Sequence, residues 1–196
     1  MSLQIRRVVV ALALSLTGAA AASAADGPLS TFAGTIGGFA GDGEPATAAL
    51  LNQPEGMAVA PDGAVLIADA RNHRIRRVAP NGIITTVVGD GTAGLGGDGG
   101  SAFNASLDTP TDVVFAPDGG YFIADSGNHR IRRVAPNGII TTFAGTVQGL
   151  AGDGGPATSA RLDTPREFGP QGDGGLLVVD SANHRIRRIA PDGTMT

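Results

Sequence analysis

The chain has 196 residues, with 14 Arg and no Lys against 18 Asp and Glu, a formal charge of −4, and neither Cys nor Trp. These counts exclude disulfide staples, thiolate metal sites, Schiff-base chemistry and Lys phosphate clamps, and the acidic balance argues against a polyanion partner. Stability must come from burial and backbone pairing, and the length suffices for an ordinary core.

Residues 1–25 read as a secretory signal peptide. Arg6 and Arg7 close a short cationic opening, VVVALALSLTGAAAA is apolar, and Ala22-Ser23-Ala24 is a small-x-small cleavage signature. The strongly apolar part, Val8 to Leu16, is shorter than the roughly 20 residues of a spanning helix. Cleavage after Ala24 or Ala25 is expected, giving a secreted or periplasmic product with no membrane span. Losing Arg6 and Arg7 leaves 12 Arg against 18 acidic residues, a formal charge of −6.

Residues 26–196 repeat. NHRIRR begins at Asn72 and Asn128, and NHRIRR recurs at Asn183, offsets of 56 and 55. A second landmark reads GDGEPATAALLNQP from Gly41, GDGGSAFNASLDTP from Gly97 and GDGGPATSARLDTP from Gly152. The period divides the chain into units of about 29–84, 85–140 and 141–196, and self-similarity at this scale signals a repeat architecture. Within the first unit, 56–60, 64–69, 74–79 and 83–89 are short apolar or β-branched runs, which predicts four strands. Pro61-Asp62-Gly63 and Pro80-Asn81-Gly82 supply hairpin turns, since Pro presets φ and Gly accepts a positive φ. Such a meander buries its faces only against neighbouring copies, which is the logic of a propeller blade.

Asn-His followed by Arg-Ile, and preceded by Ala68-Asp69, Ala124-Asp125 and Val179-Asp180, resembles the NHL repeat, a β-propeller family. The resemblance covers essentially all of residues 26–196. It implies an all-β fold of four-stranded antiparallel blades around an axis, six in the usual ring. The period here exceeds the usual unit, and the GDG…Pro segment is expected to form a large loop at one end of each blade. About three blades make an open half-propeller, because closure takes roughly 4 to 8. Residues 29–34, LSTFAG, match a fourth strand and Gly193-Thr194-Met195-Thr196 lead into one, so open edges invite pairing. One expectation is a homodimer completing six blades; the other is a truncated fragment of a longer propeller without independent function. In the third unit Gly169 and Pro170 replace Val114 and Phe115, which predicts a disrupted inner strand.

His73, His129 and His184 are the only histidines and the only metal candidates. Three imidazoles plus water is a catalytic zinc arrangement, and some propeller lyases similar to this architecture hold zinc that way. The favoured reading puts each His in its own hairpin turn, too far from the others for ligand distances of about 2 Å. The Arg clusters 74/76/77, 130/132/133 and 185/187/188 invite an RNA reading, as for NHL domains of some intracellular proteins. Alternation divides their charges between two faces and stacking aromatics are scarce, so pairing with Asp69, Asp125 and Asp180 is favoured and no nucleic acid is expected. Asp42, Asp98 and Asp153 supply one carboxylate per loop, short of a Ca²⁺ site, and read as turn formers.

No catalytic residue, binding residue or cofactor is assigned. The expected function is non-catalytic: an exported scaffold binding an extracytoplasmic protein or glycan through blade-edge loops. The alternative is a propeller lyase-like or lactonase-like enzyme with an axial metal, for which the inner-strand residues Met57, Val59, Val113 and Phe115 offer no ligands.

Overall fold

Each repeat folds into the hairpin series that its turns dictate. The computed structural model describes residues 30–196, so the signal segment 1–25 and Leu29 lie outside the described residues. Strands β1 (Pro54–Val59), β2 (Val65–Asp69), β3 (Arg74–Val78) and β4 (Ile84–Val88) form one antiparallel sheet in sequence order. β5 (Pro110–Phe115), β6 (Tyr121–Asp125), β7 (Arg130–Val134) and β8 (Ile140–Ala144) repeat it. The third sheet holds β9 (Pro165–Pro170), β10 (Leu176–Asp180) and β11 (Arg185–Ile189). A fourth strand begins beside β11, where Arg188 and Thr196 exchange backbone hydrogen bonds of 2.7 and 2.8 Å. The fold is all-β, and the three sheets are propeller blades.

The predicted turns form. Gly63 N–H donates to Ala60 O at 2.9 Å with Gly63 at φ +85, and Asp62 Oδ1 accepts from Ala64 N–H at 2.9 Å. The β2–β3 connection is a 3₁₀ turn, Ala70–Asn72, capped by His73 in the left-handed region at φ 53. His129 and His184 repeat this conformation at φ 54 and 57.

The GDG…Pro segment departs from expectation: only its first half is loop, and its second half is core. Between blades one and two it remains tied to the strand it leaves, with Gly89 N–H donating to Ala102 O at 3.1 Å. It also clasps the outer strand of the blade it enters, with Gly99 N–H donating to Ile140 O at 2.8 Å. Ala102, Ala105 and Leu107 are thereby wedged between Leu66, Ile75 and Val88 of one blade and Val113, Ile123, Val134 and Ile140 of the next. Ala157, Ala160 and Leu162 fill the same role before blade three. Blades one and two thus each have two apolar faces, one against their own crossover and one against the next, so β2 is buried along its whole length. Gly97 is required at the crossing: its φ is +88, and a Cβ there would stand 2.7 Å from Ala105 Cα.

Where the described residues supply no neighbouring blade, the same positions are exposed. Ile75 and Ile131 are fully buried, whereas Ile186, their counterpart in β11, is 63% exposed. At the other edge Ala46, Ala49 and Leu51 pack on blade one alone, and Phe32, Met57 and Val59 face solvent.

One Arg in each triad makes the expected carboxylate pair, and it is fully or almost fully buried. Arg132 Nη1 lies 3.1 Å from Asp125 Oδ2, and both side chains are fully buried. Arg76 pairs with Asp69 at 3.3 Å, and Arg187 with Asp180 at 3.5 Å. The GDG aspartates take the other side of each guanidinium, Arg76 to Asp42 at 2.8 Å and Arg132 to Asp98 at 2.7 Å. They are counter-ions, a role that the turn-former reading of Asp42, Asp98 and Asp153 did not contain. Burial alone would raise the Asp98 carboxyl, but hydrogen bonds from Thr142 and Arg132 and the Arg132 charge hold it below its ordinary value. Arg132 Nη2 also donates to Gly96 O at 3.1 Å, so the side chain stitches crossover to blade.

The inner strand of blade three forms despite Gly169 and Pro170, contrary to expectation. Leu176 pairs with Pro170, Leu177 with Gly169 and Val178 with Phe168. β9 has one free edge, where a missing N–H is tolerated. The turn beyond it is held by Gln171 N–H donating to Gly175 O at 2.9 Å.

Replacing Arg132 by Met strands the Asp125 carboxylate and is expected to cost about 3–5 kcal/mol in urea unfolding. Asp98→Asn, at a half-exposed counter-ion, is expected to cost less than about 1 kcal/mol in the same measurement. Equal losses from the two would contradict the assigned roles.

Candidate functional site

The β2–β3 turns, the loop halves of the crossovers and the first residues of the inner strands gather at one end of the blades. Each letter of the Asn-His-Arg motif acts there. Asn72 Nδ2 donates to Asp69 Oδ2 at 2.8 Å and to Gly38 O at 2.6 Å, which pins the crossover loop to the turn. Asn128 holds Gly94 O and Asn183 holds Gly149 O in the same way, each at 2.7 Å.

His73 and His129 reach into the following repeat. Thr109 N–H donates to His73 Nδ1 and Thr164 N–H to His129 Nδ1, each at 3.2 Å. An accepting Nδ1 places the ring proton on Nε2. Both threonines are β-branched residues in the left-handed region, at φ 48 and 52, a strained backbone that the His contact helps to hold. His184 makes no such bond among the described residues. His73 and His129 are therefore engaged separately, and the three imidazoles belong to the turns of three different blades. Among the described residues, no three His, Cys, Asp or Glu side chains come together as a metal-holding group.

Nearer the axis the sequence reading attended to the wrong inner-strand positions. Val113 lies in the core between blades, and Met57 and Val59 are exposed on the open face. The polar residues stand earlier in the strands, at Glu55, Asp112, Arg166 and Glu167. Arg166 Nη1 lies 3.9 Å from Glu55 Oε2, so the first and third blades meet through half-exposed charges. Asp112 Oδ2 accepts from Phe168 N–H of blade three at 3.0 Å. Its other neighbour is Gly56 of blade one, where a Cβ would lie 2.2 Å from Asp112 Oδ1. Burial pushes the Asp112 carboxyl up to about 6, against the hydrogen bonds from Phe168 and Val113 and with help from Glu167. The available signal was the repeat alignment, which sets Gly56, Asp112 and Glu167 at one position.

On the outer side of this end one apolar residue recurs in each loop. Phe39, Leu95 and Leu150 occupy equivalent positions and are 42%, 46% and 43% exposed. The Arg74 guanidinium covers Phe39 at 3.8 Å from the ring centroid. Ile36 and Val147 add exposed apolar surface in the first and third loops.

Asp112 gives this end a pH dependence. The folded state holds the Asp112 proton more tightly than the unfolded chain, whose carboxyl titrates near 3.8. This group's contribution to stability is therefore full below that value and is lost as pH rises to about 6. The stability difference between wild type and Asp112→Asn, measured by urea unfolding at pH 4 and pH 7, should change by about 3 kcal/mol at most, with wild type relatively favoured in acid. A pH-independent difference would show an ordinary carboxylate.

Comparison with known proteins agrees with this geometry. The model of the teneurin NHL domain matches residues 37–96, and that of the NHL repeat matches residues 107–134. Teneurin-m of Drosophila melanogaster is 31% identical over 175 residues, which is 79% of this chain and 6% of that protein. An auxiliary nutrient binding protein from Bacteroides thetaiotaomicron superposes with a TM-score of 0.57 at 24% identity, covering 67% of this chain and 36% of that one. Virginiamycin B lyase from Staphylococcus aureus superposes with a TM-score of 0.50 at 18% identity, covering 73% of this chain and 40% of that one. At such identities the solved structures speak for the fold alone. The chain spans a small fraction of the teneurin's length and less than half of either structure. With its Asn-His-Arg turns latched from blade to blade, it belongs to the NHL-repeat family.

Proposed function

We propose that this chain is an exported, non-catalytic scaffold that binds a protein partner through the loops at the His-bearing end of its blades. The observation that carries this reading is the recurrence of an exposed apolar side chain, Phe39, Leu95 and Leu150, at one loop position in each repeat. Singly exposed apolar residues are ordinary, but the same exposure repeated on rigid, pinned loops makes a docking surface. A carbohydrate site would call for aromatic platforms, and at the recurring loop position only the first repeat offers one, Phe39. The fold does not decide the matter, since its likenesses include a nutrient binding protein and a lyase. The enzyme alternative would use the axial groups Glu55, Asp112, Arg166 and Glu167.

A homotypic contact is favoured by a separate observation. Gly34 N–H donates to Ala46 O at 2.9 Å, as Gly89 does to Ala102 and Gly145 to Ala157, both at 3.1 Å. Residues 31–34 thus lie where the outer strand of a preceding blade would lie, while Arg185–Arg187 of β11 face no partner strand among the described residues. A second copy would supply Thr31–Gly34 to that edge, a strand addition of the usual kind.

The loop reading is tested by immobilising the chain and its Phe39→Ser/Leu95→Ser/Leu150→Ser variant and exposing both to an extracytoplasmic protein fraction and a glycan array. A retained protein that the variant holds at least tenfold less, with unchanged unfolding, is the expected result; retention of a glycan alone, or equal retention by the variant, would sink it. Light scattering should report a dimer for the homotypic contact, and a folded monomer at micromolar concentration would refute it.

A further inference from the structure

At the opposite end, where the Pro-Asp-Gly turns lie, the boundary between blades one and two opens into a cleft of about 490 Å³. Pro61, Leu66 and Val87 line it from one blade and Phe115 and Tyr121 from the next, with Arg77 and Asp62 as its charged groups. The Phe115 and Tyr121 rings meet edge to face at 6.2 Å. We propose that this cleft binds a small monocyclic aromatic acid, its ring on the apolar wall beneath Arg77 and its carboxylate on the guanidinium. This site is independent of the loop surface and goes beyond the function proposed above.

The next repeat shows what fits beneath this arginine. The counterparts of Leu66, Val87 and Arg77 are Phe122, Phe143 and Arg133. There the two rings stand 4.7 Å apart, and the Arg133 guanidinium sits 5.1 Å over the Phe122 ring. In blade one Leu and Val occupy the ring positions, so the guanidinium has no built-in aromatic partner. A ligand ring would restore that contact.

The hydrogen bonding of the three arginines points the same way. Arg133 donates to Asp118 and to Val134 O, the latter at 2.6 Å. Arg188 donates to Asp173 and to Gln171 Oε1, the latter at 2.7 Å. Among the described residues the Arg77 side chain makes one hydrogen bond, to Asp62 Oδ2 at 3.3 Å, with side chains 36% and 59% exposed. Asp62 Oδ1 is meanwhile committed to the turn through Ala64 N–H. The remaining N–H groups of the Arg77 fork suit a carboxylate, which pairs with guanidinium in a bidentate manner. Among the described residues, Arg77 is also the only cation lining the cleft.

The chain carries its own reporter. Tyr121 is the sole tyrosine and there is no tryptophan, so emission excited at 280 nm comes from the cleft wall. Phenylacetate and its neutral analogue 2-phenylethanol are titrated against the whole chain while Tyr121 fluorescence is followed. A saturable change is expected with both, tighter for the acid. Arg77→Gln should weaken phenylacetate about tenfold and leave 2-phenylethanol unchanged, as removal of one charged hydrogen-bonded contact would. Leu66→Phe/Val87→Phe, which copies the next boundary, should abolish both while circular dichroism reports an intact fold. A linear, non-saturating response, or equal phenylacetate affinity in Arg77→Gln, would overturn the proposal. That comparison stands even where the doubly filled variant does not fold.

Discussion

A buried arginine between two aspartates holds each repeat together, and the rest of the architecture follows from it. Arg76, Arg132 and Arg187 each reach a fully buried carboxylate at the end of the second strand and a half-exposed one in the crossover. A guanidinium taken out of water is tolerated only when its charge is matched; the Nη groups of Arg76 and Arg132 are used for this, while their Nε atoms have no partner among the described residues. That requirement brings the crossover down onto the blade. With the crossover in place, its alanines and leucine become the filling between adjacent blades, and the glycine before the aspartate must let two backbones touch.

The same economy explains why one motif is repeated so closely. Asn pins the loop, His accepts from the next inner strand, Ile packs against the next crossover, and the second Arg clamps its own. A substitution at any of these positions disturbs a contact to a segment distant in sequence. The functional surfaces lie where the repeats are free to differ. The loop residues Phe39, Leu95 and Leu150 can be Phe or Leu because they are about half exposed and lie outside the core between blades, and the cleft between the first two blades exists where Leu66 and Val87 stand in place of two phenylalanines.

The fold was largely legible in the sequence. Turn chemistry at Pro61-Asp62-Gly63 and the apolar, β-branched runs around it located the hairpins of the first unit, because both are local effects. Pairing of an Arg with Asp69, Asp125 and Asp180 was also readable, since charge recurred at a fixed spacing. The candidate site was less so. Asp112 went unnoticed because its importance comes from Gly56 and Phe168, one in each flanking blade and 56 residues from it along the chain, a distance over which sequence pattern carries no contact information. Pro170 misled in the other direction, because the penalty for a missing N–H depends on whether that edge of the strand is paired.

The sequence by itself determined the blade: its strands, its turns, its period and the kind of pairs that hold it. Hydrogen-bonded turns and two-residue alternation act within a few residues, so they are written locally. Only the tertiary structure decided that the crossover aspartates are counter-ions, that His73 and His129 latch one repeat to the next, and that Tyr121 walls a cleft. Each of those facts depends on which segments the packing of successive blades brings within hydrogen-bond or van der Waals reach, and that is a property of the stack.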